Sequence, residues 1–438
     1  MTIDDFECPV RYWSSRTPES PFITDSIHHF SYREINRYVD LLCIRIREFL
    51  CSKHYDYLVV SAESPVFYVV SLFSSLRIGL PLYVTPSHSL AISHPVGGFQ
   101  SPLDLSIFQT IMTVSEETDH ILSSIRLRPK QLSTIVATSG TTSDPKLVVH
   151  SLENHWSNAC ALIDLLNLEA SDRWFINLPI THVSGIAPIF RMSLCGGSVY
   201  FSSNTKSFSQ ELLSSNSTCL SCVQTTLSRF AADSSACRQW KQNAKVLLVG
   251  GGPLSHSVDS YSDVLLELPI WISYGMTETA SAIALAPLNQ YLSSSKLKLL
   301  RHCKASSNDQ HHISLSGESM CIGYARYDTA FIDYICDANG FFQTEDLGSV
   351  SNNLIEIYGR RDDMFISGGY NISPSKIISI LTQHPEINSA SLTAVPDDTF
   401  QYVGVLHFSG SLSEAECRAV CLEQLAHYEV PKIIYRIN

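Results

Sequence analysis

The stretch Ser133-Thr-Ile-Val-Ala-Thr-Ser-Gly-Thr-Thr-Ser-Asp-Pro-Lys146 joins the pattern of a buried strand to a hydroxyl-rich loop closed by a lysine. Ile135, Val136 and Ala137 are the short apolar run of a core strand. Thr138, Ser139, Thr141 and Thr142 then set hydroxyls around Gly140, whose missing side chain lets a phosphate approach the backbone. Lys146 adds the positive charge. In a Walker loop the lysine follows a glycine directly and precedes Ser or Thr; here it does neither, so a triphosphate cradle is expected without a P-loop helix behind it. The competing reading is a plain surface turn rich in serine and threonine.

On either side of this stretch the chain alternates strand and helix. Ser31 and Glu34 make a capping box, and Ile35, Tyr38, Val39, Leu42, Ile46 and Leu50 follow at helical spacing. A strand at 57–60, a helix at 66–76 and a strand at 82–84 predict a parallel sheet. Lys245-Val-Leu-Leu-Val249 runs into Gly250-Gly-Gly-Pro-Leu254, and Leu268-Pro-Ile-Trp-Ile272 into Ser273-Tyr-Gly-Met-Thr-Glu278. Ligands of open α/β sheets bind where strands end in loops, so these exits and the Thr138 loop are expected to form one composite site. Beyond about 310 the pattern turns to short strands, with a turn at Asp337-Ala-Asn-Gly340. From about 363 it predicts a small unit of helix 374–381, strands 388–395 and 402–408, and helix 414–428. The serine-rich patches at 202–217 and 292–307 read as loops.

At 438 residues with 45% apolar and 16% charged residues, the chain is long enough for a large core and more than one domain. A formal net charge of −12 argues against a nucleic-acid groove, so phosphate binding has to be local. The 13 cysteines are odd in number and scattered; Cys43, Cys160, Cys195 and Cys321 lie in apolar sequence. That favours reduced thiols and a cytoplasmic setting. Cys219 and Cys222 fall on a strand, where residues three apart face opposite ways, which argues against zinc or redox work. Cys417 and Cys421 read as ordinary thiols at helical spacing. The acidic start Met-Thr-Ile-Asp-Asp-Phe-Glu has no apolar h-region, and the uncharged run 66–76 ends at Arg77, too short to span a membrane.

Tyr274-Gly-Met-Thr-Glu278 offers an aromatic ring for a base, a hydroxyl for phosphate and a carboxylate for Mg²⁺. Phe342-Gln-Thr-Glu-Asp346-Leu-Gly348 offers a carboxylate for ribose hydroxyls. Gly359-Arg-Arg-Asp-Asp-Met-Phe-Ile-Ser-Gly-Gly369 offers a guanidinium and a close backbone approach.

With these segments in this order, nearly the whole chain resembles the adenylate-forming superfamily of acyl-CoA synthetases, peptide-synthetase adenylation domains and luciferases. Lys146-Leu-Val-Val-His-Ser-Leu-Glu-Asn-His155, Leu178-Pro-Ile-Thr-His-Val-Ser-Gly185 with Arg191, and Gly250-Gly-Gly-Pro-Leu254 look most like its o-succinylbenzoate–CoA ligase branch, of menaquinone biosynthesis. The resemblance implies an α/β fold with a large N-terminal domain of stacked sheets (1–358), a hinge (359–362) and a small α+β C-terminal lid (363–438). It also implies an ATP-dependent, AMP-forming ligase that joins a small-molecule acid to coenzyme A with Mg²⁺ as cofactor, without nucleic acid or a membrane span as partner. A homodimer is left open. Ligases for another aryl or fatty acid, and an impaired relative that only binds nucleotide or acyl-adenylate, are the alternatives.

Carried over by position, Thr138, Ser139, Gly140, Thr141, Thr142 and Lys146 would cradle the β- and γ-phosphates. Ser273 and Tyr274 would lie against adenine, Thr277 would touch the α-phosphate, and Glu278 would ligate Mg²⁺. Asp346 and Arg360 would fix the ribose, Asp362 would be the hinge, and Gly368 and Gly369 would approach the coenzyme A arm. His182, Ser184 and Arg191 are the polar candidates for the acid, beside an aryl wall at Gly250, Gly251 and Gly252. Arg191 has the bidentate geometry for a second carboxylate, and a helix-face arginine is the plainer reading of it. His182 reads equally as a satisfied core histidine. The chain departs from relatives at Ser143, Asp144, Glu345 and Gln401. It also stops at Asn438, before the Gly-Lys turn that relatives carry after Tyr428-Glu-Val-Pro-Lys432, and the resemblance therefore implies a slowed adenylation step.

Overall fold

The computed structural model describes residues 6–50, 56–85, 100–103, 126–138, 146–203, 206–252, 265–326, 332–361, 364–367, 370–397 and 400–437. Within them the strand–helix alternation builds two sheets with parallel centres. In the smaller, Gln100–Leu103, Tyr57–Ser61, Leu82–Thr85 and Leu132–Ala137 run parallel; Leu147–Ser151, Gly323–Ala325 and Ile332–Tyr334 extend it antiparallel. The larger sheet has 13 strands. Its parallel part includes Arg173–Ile176, Cys219–Cys222, Val246–Val249 and Ile270–Met276, and its antiparallel part runs from Ser281–Pro287 out to Cys303–Ser307.

The helices between these strands explain why both sheets are needed. Pro65–Ile78 starts at Ser64, whose hydroxyl accepts the Phe67 N–H at 3.3 Å, and stops at Gly79 in the left-handed region. It is apolar all round, so it must be covered on every side, and residues 66–77 are all buried. One core joins it to Tyr32–Leu50, Leu152–Leu166 and Val183–Cys195 and to the inner faces of both sheets. Arg77 enters that core because its guanidinium donates to Asp40 at 2.5 Å and Asn36 at 2.6 Å. The expected capping box is present, with the Ser31 N–H donating to Glu34 at 2.7 Å. Cys219 faces this core and Cys222 the core on the other side of the large sheet. Burial pushes both thiols up to about 12, as suits packed groups. The described cysteines are all free.

A third sheet uses only residues from Phe365 onward, with helices Pro374–Leu381 and Glu414–Gln424 and a hydrophobic core of its own. The serine-rich patches are not loops throughout. Phe208–Ser214 is a helix capped by Ser207, and Lys296–Leu299 and Cys303–Ser307 are strands. Serines at caps and on the exposed side of strands hide the period there, since the apolar partners alone carry it. No described helix is long and apolar enough to cross a membrane.

Candidate active site

The opening stretch is one arm of a hairpin. Strand Leu132–Ala137 returns antiparallel as Leu147–Ser151, and the Thr138 N–H donates to the Lys146 carbonyl at 2.9 Å, closing the base of the loop. Ser139, Gly140, Thr141 and Thr142 lie outside the described residues, as do Asp362, Gly368 and Gly369. A strand, Leu147–Ser151, comes directly after Lys146 where a P-loop would start its helix. The Lys146 ammonium stands 5.1 Å over the ring of Tyr324, held there because Gly323–Ala325 pairs with Leu147–Ser151 and puts Tyr324 opposite Val148. The Tyr324 hydroxyl donates to Glu278 Oε1 at 2.8 Å. Lys146 and Glu278, 132 positions apart by number, thus meet across one tyrosine.

Strand Ile270–Met276 leads into the Thr277–Thr279 turn that carries Glu278. Ser273 donates to the Val249 carbonyl at 3.0 Å, tying this strand exit to the neighbouring one. A Cβ at 250 would lie 2.5 Å from Ser273 Oγ, so a larger residue there would push that hydroxyl off the Val249 carbonyl. The Tyr274 hydroxyl donates to Asp346 Oδ2 at 2.5 Å. Asp346 is directly opposite Arg360 in the antiparallel strand pair, with Oδ1 3.7 Å from the guanidinium, and its own N–H donates to Thr344 Oγ1 at 3.0 Å. Burial, and then the Asp346 carboxylate, raises the Tyr274 phenol well above its ordinary pKa, so it stays a donor. Glu345, the departure beside Asp346, turns outward onto Arg361 at 2.5 and 2.6 Å.

Behind the Thr277 turn lies a polar chain that sequence reading missed. His150 Nε2 is 2.7 Å from the Thr277 carbonyl, and Thr134 Oγ1 lies 3.3 Å from His150 Nδ1 and 2.7 Å from His155 Nε2. A consistent assignment has His150 Nε2–H donating to Thr277, Thr134 donating to His150, and His155 Nε2–H donating to Thr134. His155 Nδ1, which has no partner, is then a bare lone pair rather than a stranded N–H. Burial pulls His150 down to about 4 and His155 well below its usual value, so both are neutral. His155 stacks on Phe190 at 4.6 Å. The chain thereby fastens the turn of the large sheet to a strand of the small one. Nothing in the local pattern signals it beyond two histidines in an apolar run.

Arg191 reaches the far side of the same turn. It is 1% exposed, with Nη2 donating to Ser281 at 3.0 Å and its guanidinium 5.0 Å over Trp174. Its Nε has no partner, and burial pulls its pKa to about 9. Ser184 precedes it by two helical turns on the same face. His182 is half-buried at the helix start, where its carbonyl rather than its ring makes the capping bonds, accepting the Gly185 and Ile186 N–H groups. Gly251 and Gly252 are exposed. Among the described contacts, Arg191 alone of the acid candidates touches the Thr277–Ser281 segment.

The donor set suits Mg²⁺ rather than a transition metal. No cluster of three His, Cys, Asp or Glu that could hold an ion exists among the described residues. Mg²⁺ keeps several waters and needs one or two carboxylates beside substrate phosphates. Glu278 supplies one carboxylate, with its second oxygen unpartnered among the described residues.

A family model described as AMP-binding enzyme matches residues 102–305. The chain is 34% identical over 330 residues to a 2-succinylbenzoate–CoA ligase of Bacillus licheniformis, and 32% identical over 315 residues to one of Listeria monocytogenes. Over the matched residues the chain is similar to AMP-binding enzymes. The two matches take in 70% and 69% of this chain but 66% and 65% of those relatives, just under two thirds of their length. Solved structures share the fold. Escherichia coli MenE with a bound analogue of OSB-AMS matches with a TM-score of 0.79 at 20% identity, over 99% of this chain and 96% of that one. Bacillus subtilis MenE in complex with ATP and magnesium ion gives 0.79 at 22%, over 98% and 96%. Rhodopseudomonas palustris MatB bound to ATP gives 0.82 at 20%, over 99% and 95%.

Proposed function

We propose that this chain is an AMP-forming acid–CoA ligase whose acid is o-succinylbenzoate, acting in menaquinone biosynthesis. The observation that carries the chemistry is a pair of clusters drawn from four motif segments, Lys146 with Glu278 across Tyr324 and Asp346 with Tyr274 and Arg360, joined through the short segment from Tyr274 to Glu278. In the first half-reaction a carboxylate oxygen of the acid bonds to the α-phosphorus of ATP, the bond to the bridging oxygen breaks, and pyrophosphate leaves. In the second the thiol sulfur of coenzyme A bonds to the acyl carbon, AMP departs with the acyl–oxygen bond electrons, and the thiol proton goes to solvent. Such displacements are served by positioning and charge neutralisation more than by proton transfer.

The loop from Thr138 to Lys146 would hold the β- and γ-phosphates, and Thr277 the α-phosphate. Glu278 would hold Mg²⁺, which when bound neutralises phosphate charge. Asp346, fixed by Tyr274 and Arg360, would accept from the ribose hydroxyls. Ser273 would lie at the adenine edge. Arg191 would meet the second carboxylate of a dicarboxylic acid, with Ser184, His182 and Gly250 to Gly252 around the aryl ring. A lid from 363 to 438, turning at 359–362 about Asp362, would bring Gly368 and Gly369 to coenzyme A. The free thiols are in keeping with a cytoplasmic enzyme.

Thioester formation is the test, run once with o-succinylbenzoate, ATP, Mg²⁺ and coenzyme A, and once with preformed o-succinylbenzoyl-AMP and coenzyme A. Product in both supports the ligase. Product only from the adenylate places the deficit in the first step, and none from either sinks the reading. A benzoate lacking the second carboxylate that reacts as well would remove the acid assignment.

A further inference from the structure

Tyr324 lies outside every motif that marks the nucleotide site, yet it touches two of its charged groups. Its hydroxyl donates to Glu278 Oε1 at 2.8 Å while its ring faces the Lys146 ammonium at 5.1 Å. The residue cannot easily drift. Strand Gly323–Ala325 is clamped between Leu147–Ser151 and Ile332–Tyr334, with Tyr324 paired to Val148 and Asp333. The turn carrying Glu278 is pinned independently, its carbonyl accepting the Cys321 N–H at 2.7 Å. We propose that Tyr324 is a positioning residue that presets both the metal-binding carboxylate and the phosphate lysine, so that Mg²⁺ and the triphosphate are received by one rigid unit.

The physical ground is specific to each contact. An ionised carboxylate on a flexible side chain loses rotamer freedom when it binds a cation, and a neutral phenol holding one oxygen removes that cost beforehand while leaving the other oxygen for the ion. The contact has the phenol O–H as donor and the carboxylate oxygen as acceptor, so it persists whether or not the other oxygen is engaged. The ring holds the ammonium by its quadrupole without neutralising it, which a carboxylate would do. Lys146 therefore arrives charged and in place.

This inference rests on the nucleotide site proposed above, and equilibrium binding separates the two. Calorimetric titration of ATP, with no acid present, is run with Mg²⁺ and with EDTA on the wild type, Tyr324→Phe and Tyr324→Leu. In the wild type Mg²⁺ should tighten ATP binding; if ATP does not bind, the nucleotide site itself is wrong. Tyr324→Phe keeps the ring and loses the hydroxyl. It should bind metal-free ATP within about twofold of wild type and lose roughly tenfold or more of the Mg²⁺-dependent gain. Tyr324→Leu should lose that gain and also weaken metal-free ATP by about two- to fivefold, the size of an exposed cation–π contact. Unchanged Mg²⁺ dependence in Tyr324→Phe, with ATP still bound, overturns the positioning role. Equal weakening with and without Mg²⁺ in that variant overturns it as well, because it marks general damage to the site.

Discussion

Arg191 is the residue on which the acid assignment turns. A guanidinium 1% exposed, with one hydroxyl partner, one aromatic face and an unpartnered Nε, is poorly compensated for burial. Such a charge generally weakens a fold compared with an apolar side chain of similar size. If it is present to meet a carboxylate, Arg191→Met should leave thermal stability unchanged or raised while the KM for o-succinylbenzoate rises by roughly tenfold or more. If it is only a helix-face arginine built into the core, the same change should leave KM for o-succinylbenzoate where it was, whatever it does to stability. Thermal unfolding and acid kinetics on one preparation decide between them. Lys146 calls for a simpler comparison. Lys146→Ala should reduce ATP turnover by about a hundredfold at unchanged melting temperature, because the side chain is exposed and its contact among the described residues is the face of Tyr324. An unchanged rate would remove the phosphate-cradle assignment.

At the scale of elements, the polar chain from His155 through Thr134 and His150 to Thr277 fastens two sheets together with neutral imidazoles. Its pH dependence has a definite sign. Above pH 6.5 neither folded nor unfolded chain protonates His150. Between 6.5 and about 4 the unfolded chain takes up a proton that the folded one refuses, so stability falls as pH drops across that window. Below about 4 both states carry it and the loss is complete, at most about 3 kcal/mol for this residue. His302, which burial also pulls down to about 4, acts in the same window. Urea unfolding at pH 7 and pH 5 should show wild type losing more than His150→Gln, by about 2 kcal/mol. Equal losses would mean the histidine is not held neutral. The elements themselves were largely legible: a capping box and helical spacing announced Tyr32–Leu50, and apolar runs announced Val246–Val249 and the first half of Ile270–Met276, although Ser273 to Met276, expected in the exit loop, continue that strand because they pair with residues 281–285. Their contacts were not. Tyr324 reaches Glu278 because a three-residue strand pairs with Leu147–Ser151, and strands that short leave no period to read. Tyr274 meets Asp346 although their strands are not neighbours in the sheet. Motif order could therefore nominate the site residues, whereas the residues that hold them in place became visible only once the strands were paired.

At the scale of the whole molecule, the question is how the unit after Phe365 is held to the rest. It has its own core, so its attachment can loosen without unfolding it, which is what a lid turning at 359–362 requires. Gly359 stands at the join. Its φ of +150° is one that L side chains rarely adopt, and a Cβ there would lie 2.8 Å from Ser375 Cβ and 3.3 Å from Ser373 Oγ. Ser373 in turn caps helix Pro374–Leu381 by accepting the Lys376 N–H. Gly359→Ala should therefore press on the cap and first turn of that helix, at a cost of about 1–3 kcal/mol. The cost falls on the contact between units rather than within either core. Hydrogen exchange should accordingly speed up by roughly tenfold or more across Pro374–Leu381 while strand Val246–Val249 keeps its protection. Uniform acceleration throughout the chain would instead show one cooperative body with no separable lid. No change anywhere would show that the helix already has room to give. If the local result is obtained, thioester formation from preformed adenylate should change more than adenylation does, because the first step is proposed to draw on residues up to Arg360 and only the second to need Gly368 and Gly369 brought across.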